Sequence, residues 1–113
     1  MDRTTAKKII EINFEKGKAK AFQNKEKTLE AYYNLLDSLD EHYKVSVGFK
    51  LSPLDTPTLI IGCRIALAYP LIYCFDGRYY FHSTTKNTVI TSDLSEILKL
   101  IDEHFYGPIS KNL

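Results

Sequence analysis

Apolar residues along this chain repeat at two spacings, every second position in some segments and every three to four in others. The clearest alternating segment is Leu71-Ile72-Tyr73-Cys74-Phe75-Asp76-Gly77-Arg78-Tyr79-Tyr80-Phe81-His82. Asp-Gly stands between two β-prone aromatic runs. A two-residue hairpin turn needs positive φ at its centre, which Gly adopts at little steric cost. That turn pairs Phe75 with Arg78, Cys74 with Tyr79, Tyr73 with Tyr80, Ile72 with Phe81 and Leu71 with His82. Paired residues share a face. One face then holds Ile72, Cys74, Tyr79 and Phe81. The other holds Leu71, Tyr73, Phe75, Arg78, Tyr80 and His82. Arg78 and His82 are costly to bury, so the first face is predicted to meet the core and the second to look outward.

Other alternating stretches extend this sheet. Val45, Val47, Phe49 and Leu51 alternate with Ser46, Gly48 and Lys50, the pattern of a strand with one wet side. Residues 58–66 are more completely apolar and read as a central strand, with Gly62 marking a bulge or a close backbone approach. Pro70 cannot donate to a ladder and is expected just before the next strand. Residues 84–87 read as a turn, and Val89 to Thr91 as a short paired segment.

Helical spacing dominates two segments. Over residues 25–43, Leu29, Tyr32, Tyr33, Leu36, Leu39 and Tyr43 lie in a stripe roughly 120° wide, with Asn24 as cap. Asp93-Leu94-Ser95-Glu96 resembles a capping box with Asp93 or Ser92 as N-cap. Leu94, Ile97, Leu98, Ile101 and Phe105 form a narrow apolar face, and Gly107-Pro108 ends the helix. Residues 8–22 fit two readings. Ile10, Ile12 and Phe14 alternate with Glu11 and Asn13, and Lys16-Gly17-Lys18 offers a turn, which predicts a small hairpin. The rival is a helix from Ala6 to Lys16 closed by Gly17, which puts Asn13 inside its apolar stripe. The expected fold is α+β: a mostly antiparallel sheet of four to six strands with two amphipathic helices on one face, in one domain over residues 1–113.

Composition narrows the function. The 113 residues carry a formal net charge of +1, which excludes both global acidic mimicry of DNA and global basic attraction to it. Residues 1–27 hold eight Lys/Arg against four Asp/Glu, a local excess that suits a solvated surface or a nucleic-acid contact through Lys7, Lys8, Lys16, Lys18 and Lys20. Twelve Lys against three Arg, with no Trp, point to AT-rich coding of the kind found in low-GC bacteria, their phages and mobile elements. The amino end, Met-Asp-Arg-Thr-Thr, has no apolar h-region, and the apolar stretch from Leu59 to Phe75 is interrupted by Gly62, Arg64 and Pro70. A cytoplasmic protein with free thiols, and no membrane association, is expected.

No enzymatic motif emerges. Isolated glycines provide no phosphate-binding loop. A zinc site of Cys63, Cys74 and His82 fails because Cys74 and His82 face opposite sides of one ribbon, and no metal or other cofactor is expected. Cys74 reads as core, Cys63 lies in the most apolar strand, where an exposed thiol is not expected, and His42 and His104 read as cations at helix carboxyl ends. The outward residues Tyr73, Phe75, Arg78, Tyr80 and His82 are types enriched at binding hot spots. The reading is a non-enzymatic interaction protein that docks on a protein partner, of the inhibitor or immunity type, with self-pairing into a homodimer also compatible. Two alternatives stay open. One is a nucleic-acid-binding module joining the basic amino end to tyrosine stacking. The other is an enzyme with an unfamiliar Tyr or His site.

Overall fold

A computed structural model describes residues 2–15, 25–48, 56–63, 69–83 and 88–107. In chain order the elements are α1 (Arg3–Glu15), α2 (Lys25–Ser38), β1 (Lys44–Gly48), β2 (Thr58–Gly62), β3 (Leu71–Phe75), β4 (Arg78–His82), β5 (Val89–Thr91) and α3 (Leu94–Tyr106). The strands form one antiparallel sheet in sequential order β1-β2-β3-β4-β5. The helices pack on one side of it, α1 against β1, α2 against β3 and β4, and α3 against β4 and β5. The fold is α+β, as the pattern of the chain implies.

The ribbon at residues 71–82 adopts the register its turn dictates, from Leu71 opposite His82 to Phe75 opposite Arg78. Asp76 and Gly77 both have positive φ, 49° and 81°, the conformation of a type I′ turn. The Asp76 amide donates to the Thr28 hydroxyl on α2 at 2.8 Å, which ties the turn to the helical layer. Ile72, Cys74, Tyr79 and Phe81 are buried, and the opposite face is half-buried or exposed. Pro70 lies just ahead of β3, where its carbonyl accepts the Ile61 amide at 3.2 Å. Residues 64–66, 84–87, 49 and 51, assigned from the sequence to strands or a turn, lie outside the described residues.

The amino-terminal hairpin expected over residues 8–22 is not formed: residues 3–15 are helix α1. The decisive pair is Ile10 and Ile12, which a strand would place together. Ile10 is fully buried and Ile12 is 49% exposed, because two helical positions are about 200° apart. Ala6 and Ile10 supply the buried stripe instead. Asn13, the residue that made the helix look untidy, donates from Nδ2 to the Ile9 carbonyl one turn back at 2.8 Å. The missed start signal is Asp2, whose carboxylate accepts the Thr5 amide at 2.7 Å as an N-cap. The helical layer therefore holds three helices rather than two. Gly17, the proposed stop, and Asn24, the proposed cap of the next helix, fall outside the described residues.

Helix α2 is shorter than the expected 25–43. Its end at Ser38 has a local cause: Asp40 draws the next backbone groups to itself, its Oδ1 accepting the His42 amide at 3.0 Å and its carbonyl accepting the Tyr43 amide at 3.2 Å. The buried stripe is also rotated. Thr28, Ala31, Tyr32, Leu35 and Leu36 are buried, whereas Leu29 and Tyr33 lie at its margin. Tyr32 fastens the layers, its hydroxyl donating to the Pro57 carbonyl at 2.5 Å and accepting the Cys74 amide at 3.1 Å. Burial pushes the Tyr32 phenol well above its ordinary value. Leu39 and Tyr43 stay buried beyond the helix end.

Helix α3 begins on Asp93, whose carboxylate accepts the Ser95 amide at 3.0 Å. Glu96 does not complete a capping box; it accepts the Thr91 hydroxyl at 2.9 Å, and that hydroxyl accepts the Asp93 amide at 3.1 Å. Ile97, Ile101 and Phe105 are buried against the sheet, and Gly107 ends the helix at φ 62° with its amide on the Glu103 carbonyl.

Candidate functional site

The sheet face turned away from the helices is built by parity. In β3 and β4 it carries Leu71, Tyr73, Phe75, Arg78, Tyr80 and His82. The register adds Ile60 opposite Leu71 and Ile90 opposite Tyr80. Ile90 is 55% exposed. Tyr69 is 51% exposed, and its ring lies against Gly62, where an added Cβ would meet Tyr69 Cε1 at 3.3 Å. Gly62 thus marks a close approach, as its place in an apolar strand suggested, though by a ring and not by backbone.

Tyr73 and Tyr80 stand at the middle of this face. Their rings stack with centroids 4.8 Å apart and planes 7° from parallel. Partial burial, then the neighbouring Tyr80 phenol, raises the Tyr73 phenol above its ordinary value, so it remains an uncharged donor at neutral pH. Arg78 and His82 flank Tyr80 on the same face of β4. Arg78 and Lys44 are exposed, and His82 is exposed with its Nδ1 2.6 Å from the Thr88 hydroxyl. At the β1–β2 end a cavity of about 320 Å³ is lined by Lys44, Val45, Ser46, Ile60, Gly62, Cys63 and Tyr69. The five residues singled out for partner binding, Tyr73, Phe75, Arg78, Tyr80 and His82, share one surface. Sequence reasoning missed Ile60, Tyr69 and Ile90. Ile90 was legible from the short strand at 89–91, but its register was not.

The lysines proposed for a nucleic-acid contact lie elsewhere. Lys7 and Lys8 are on α1, in the helical layer, on the other side of the sheet from Tyr73 and Tyr80. Lys7 is engaged there, its Nζ 2.6 Å from Asp37 and 5.5 Å from the centre of the Tyr33 ring, whose hydroxyl donates to Glu11. Lys16, Lys18 and Lys20 lie outside the described residues.

A second polar assembly joins residues far apart in sequence. His42 stands beyond the end of α2, not on it, so the expected helix-dipole role does not apply. Its Nδ1 lies 2.5 Å from Asp40 Oδ1 and its Nε2 2.8 Å from the Tyr106 hydroxyl. That hydroxyl is 3.8 Å from Cys63 Sγ. Cys63 follows the end of β2 and is half-buried rather than exposed; Cys74, read as core, is fully buried. His104 does sit in the last turn of α3, edge-on to Phe81 and Phe105. Among the described residues no group of three His, Cys, Asp or Glu side chains is placed to hold a metal ion, and no helix is long and apolar enough to cross a membrane.

No protein-family model, curated protein or solved structure matches this chain. The functional reading therefore rests on its own residues.

Proposed function

We propose that this chain is a non-enzymatic interaction protein that docks on a protein partner through the outward sheet face, centred on Tyr73 and Tyr80. The observation that carries this reading is the stacked tyrosine pair among half-buried and exposed apolar groups, on the side of the sheet opposite all three helices. Two rigid rings already held against each other lose little entropy on binding. Ile60, Leu71, Phe75 and Ile90 supply apolar area around them, and Arg78, His82 and Lys44 a polar rim, the arrangement of a protein interface with a dry centre. An inhibitor or immunity role in the cytoplasm fits a small chain with two free thiols.

The test is capture of a partner from extract, identified by mass spectrometry, with three baits. Wild type and a Lys7→Ala/Lys8→Ala variant are expected to retain the same partner, and Tyr73→Ala/Tyr80→Ala to lose it while keeping its far-UV circular dichroism. Retention by the folded tyrosine variant overturns the assignment. Binding to single-stranded DNA or RNA that weakens steeply with salt and depends on the tyrosines would replace the protein partner with a nucleic acid.

A further inference from the structure

Asp40, His42, Tyr106 and Cys63 form a continuous chain from a carboxylate to a thiol, at 2.5, 2.8 and 3.8 Å. They come from the α2–β1 loop, the end of α3 and the end of β2. Each link has a chemical direction. Asp40 is held as a carboxylate: hydrogen bonds from the His42 amide and ring lower it below the usual range, and the Arg3 charge adds to this. A carboxylate facing Nδ1 requires a hydrogen there, which in the neutral imidazole leaves Nε2 as the acceptor. Nε2 faces the Tyr106 hydroxyl, so that hydroxyl donates to His42 and its oxygen is left to accept from the Cys63 thiol. Once the thiol has lost its proton, the Tyr106 hydroxyl donates to the sulfur; that hydrogen bond first, then desolvation and the nearby charges of Asp102 and Asp40, raise the phenol, so it stays protonated beside a thiolate. Nucleophile, base and orienting acid stand in the order an activated thiol needs, with a phenol between the first two.

The surroundings hold the chain open to small molecules. Cys63 is half-buried, Tyr106 and His42 are exposed, and Cys63 also borders the 320 Å³ cavity beside Tyr69. Arg3 donates from Nη2 to the Asp40 and Tyr43 carbonyls at 3.0 Å each, fixing the loop that carries Asp40 and His42. Tyr43 donates to Asp102 at 2.5 Å, which occupies the nearest acidic group of α3. Among the described residues, Lys44 is the charged side chain that lines the cavity.

We propose that Cys63 is a site of thiol–disulfide exchange with small-molecule disulfides, its proton leaving through the Tyr106 hydroxyl to His42, which Asp40 orients. The Cys63 proton passes to the Tyr106 oxygen as the Tyr106 proton passes to His42 Nε2. The thiolate attacks one sulfur of the disulfide, the old S–S bond breaks, and the departing thiolate takes the proton back from the imidazolium. One thiol and one disulfide become a Cys63 mixed disulfide and a free small thiol; Cys63 is oxidised and the departing half of the disulfide is reduced. This site does not rest on the docking face proposed above.

The probe is oxidised glutathione on the native full chain, followed by intact-protein and peptide mass spectrometry. One adduct per chain is expected, on Cys63, with the fully buried Cys74 unmodified as an internal report of folding. A thiol of ordinary acidity is only a few per cent ionised at pH 7, so assisted proton departure has room for about a tenfold gain in rate. Tyr106→Phe and His42→Gln, both at exposed positions, are each expected to slow adduct formation about tenfold at pH 7. At about pH 10, where thiols ionise unaided, both are expected to match wild type. Variants as fast as wild type at pH 7, slowing by only one of the two, a deficit that persists at high pH, or modification of Cys74 at the same rate would each overturn the proposal.

Discussion

Both faces of the β3–β4 ribbon carry aromatic rings, and their fates are opposite. Inward, Tyr79 and Phe81 are sealed beneath the helices with Ile72 and Cys74; outward, Tyr73 stacks on Tyr80, and both rings, with Phe75, are partly open to solvent. The inward tyrosine must place its hydroxyl, and it donates to the Ala31 carbonyl at 3.2 Å. The outward pair needs no such partner, because water serves it. Aromatic content alone therefore does not mark a core or a binding surface. What separates the faces is the company each keeps: Arg78 and His82 travel with one of them, and charge does not enter a dry interior without a partner.

Substitutions on the two faces should differ in kind. The largest effect is expected at Phe81→Ala, which empties the inward face and should cost about 3–5 kcal/mol in denaturant unfolding. A loss below about 1 kcal/mol would show that the helical layer packs less closely on β4 than the structure describes. Tyr32→Phe keeps the ring but leaves the Cys74 amide and the Pro57 carbonyl unpaired, a loss of about 1–3 kcal/mol by the same measurement. Gly77→Ala forces a Cβ onto a residue at φ 81° and should cost about 1–2 kcal/mol while leaving room around the site, since only the flexible Lys27 side chain lies within 4 Å. Tyr73→Ala/Tyr80→Ala should cost least, about 1 kcal/mol in stability for a cross-strand pair, while having the largest effect on partner capture.

Alkali offers a comparison without loss of contacts. The Tyr79 phenol is pushed up to about 12 by burial first, with Cys74 and Glu30 nearby adding to it. A folded-state value above the unfolded one means that the stabilisation is complete below about pH 10 and is lost as pH rises from there through about 12. Stability measured across that window should fall in wild type and fall less in Tyr79→Phe. An equal decline in both would remove Tyr79 from the account.

Local chemistry settled much of this molecule. Asp76-Gly77 dictates a turn, the turn dictates the register, and the placement of Arg78 and His82 dictates which side is wet. All three steps involve neighbours within a dozen residues, so they are readable in order along the chain. Leu94 to Phe105 was equally legible, because one apolar stripe is bracketed by Asp93 and Gly107. Residues 8–15 were not. Ile10, Ile12 and Phe14 satisfy a period of two, whereas Ala6 and Ile10 satisfy a helical repeat, and the choice depended on burial of Ala6 and Ile10 among residues of α2 and β1. The extent of α2 and the chain from Asp40 to Cys63 belong to the same class. The first turned on one aspartate competing for backbone amides, and the second on three segments meeting at one end of the sheet. Local turn geometry and charge burial are written into adjacent residues, whereas proximity between residues 42, 63 and 106 arises only when helices and strands pack.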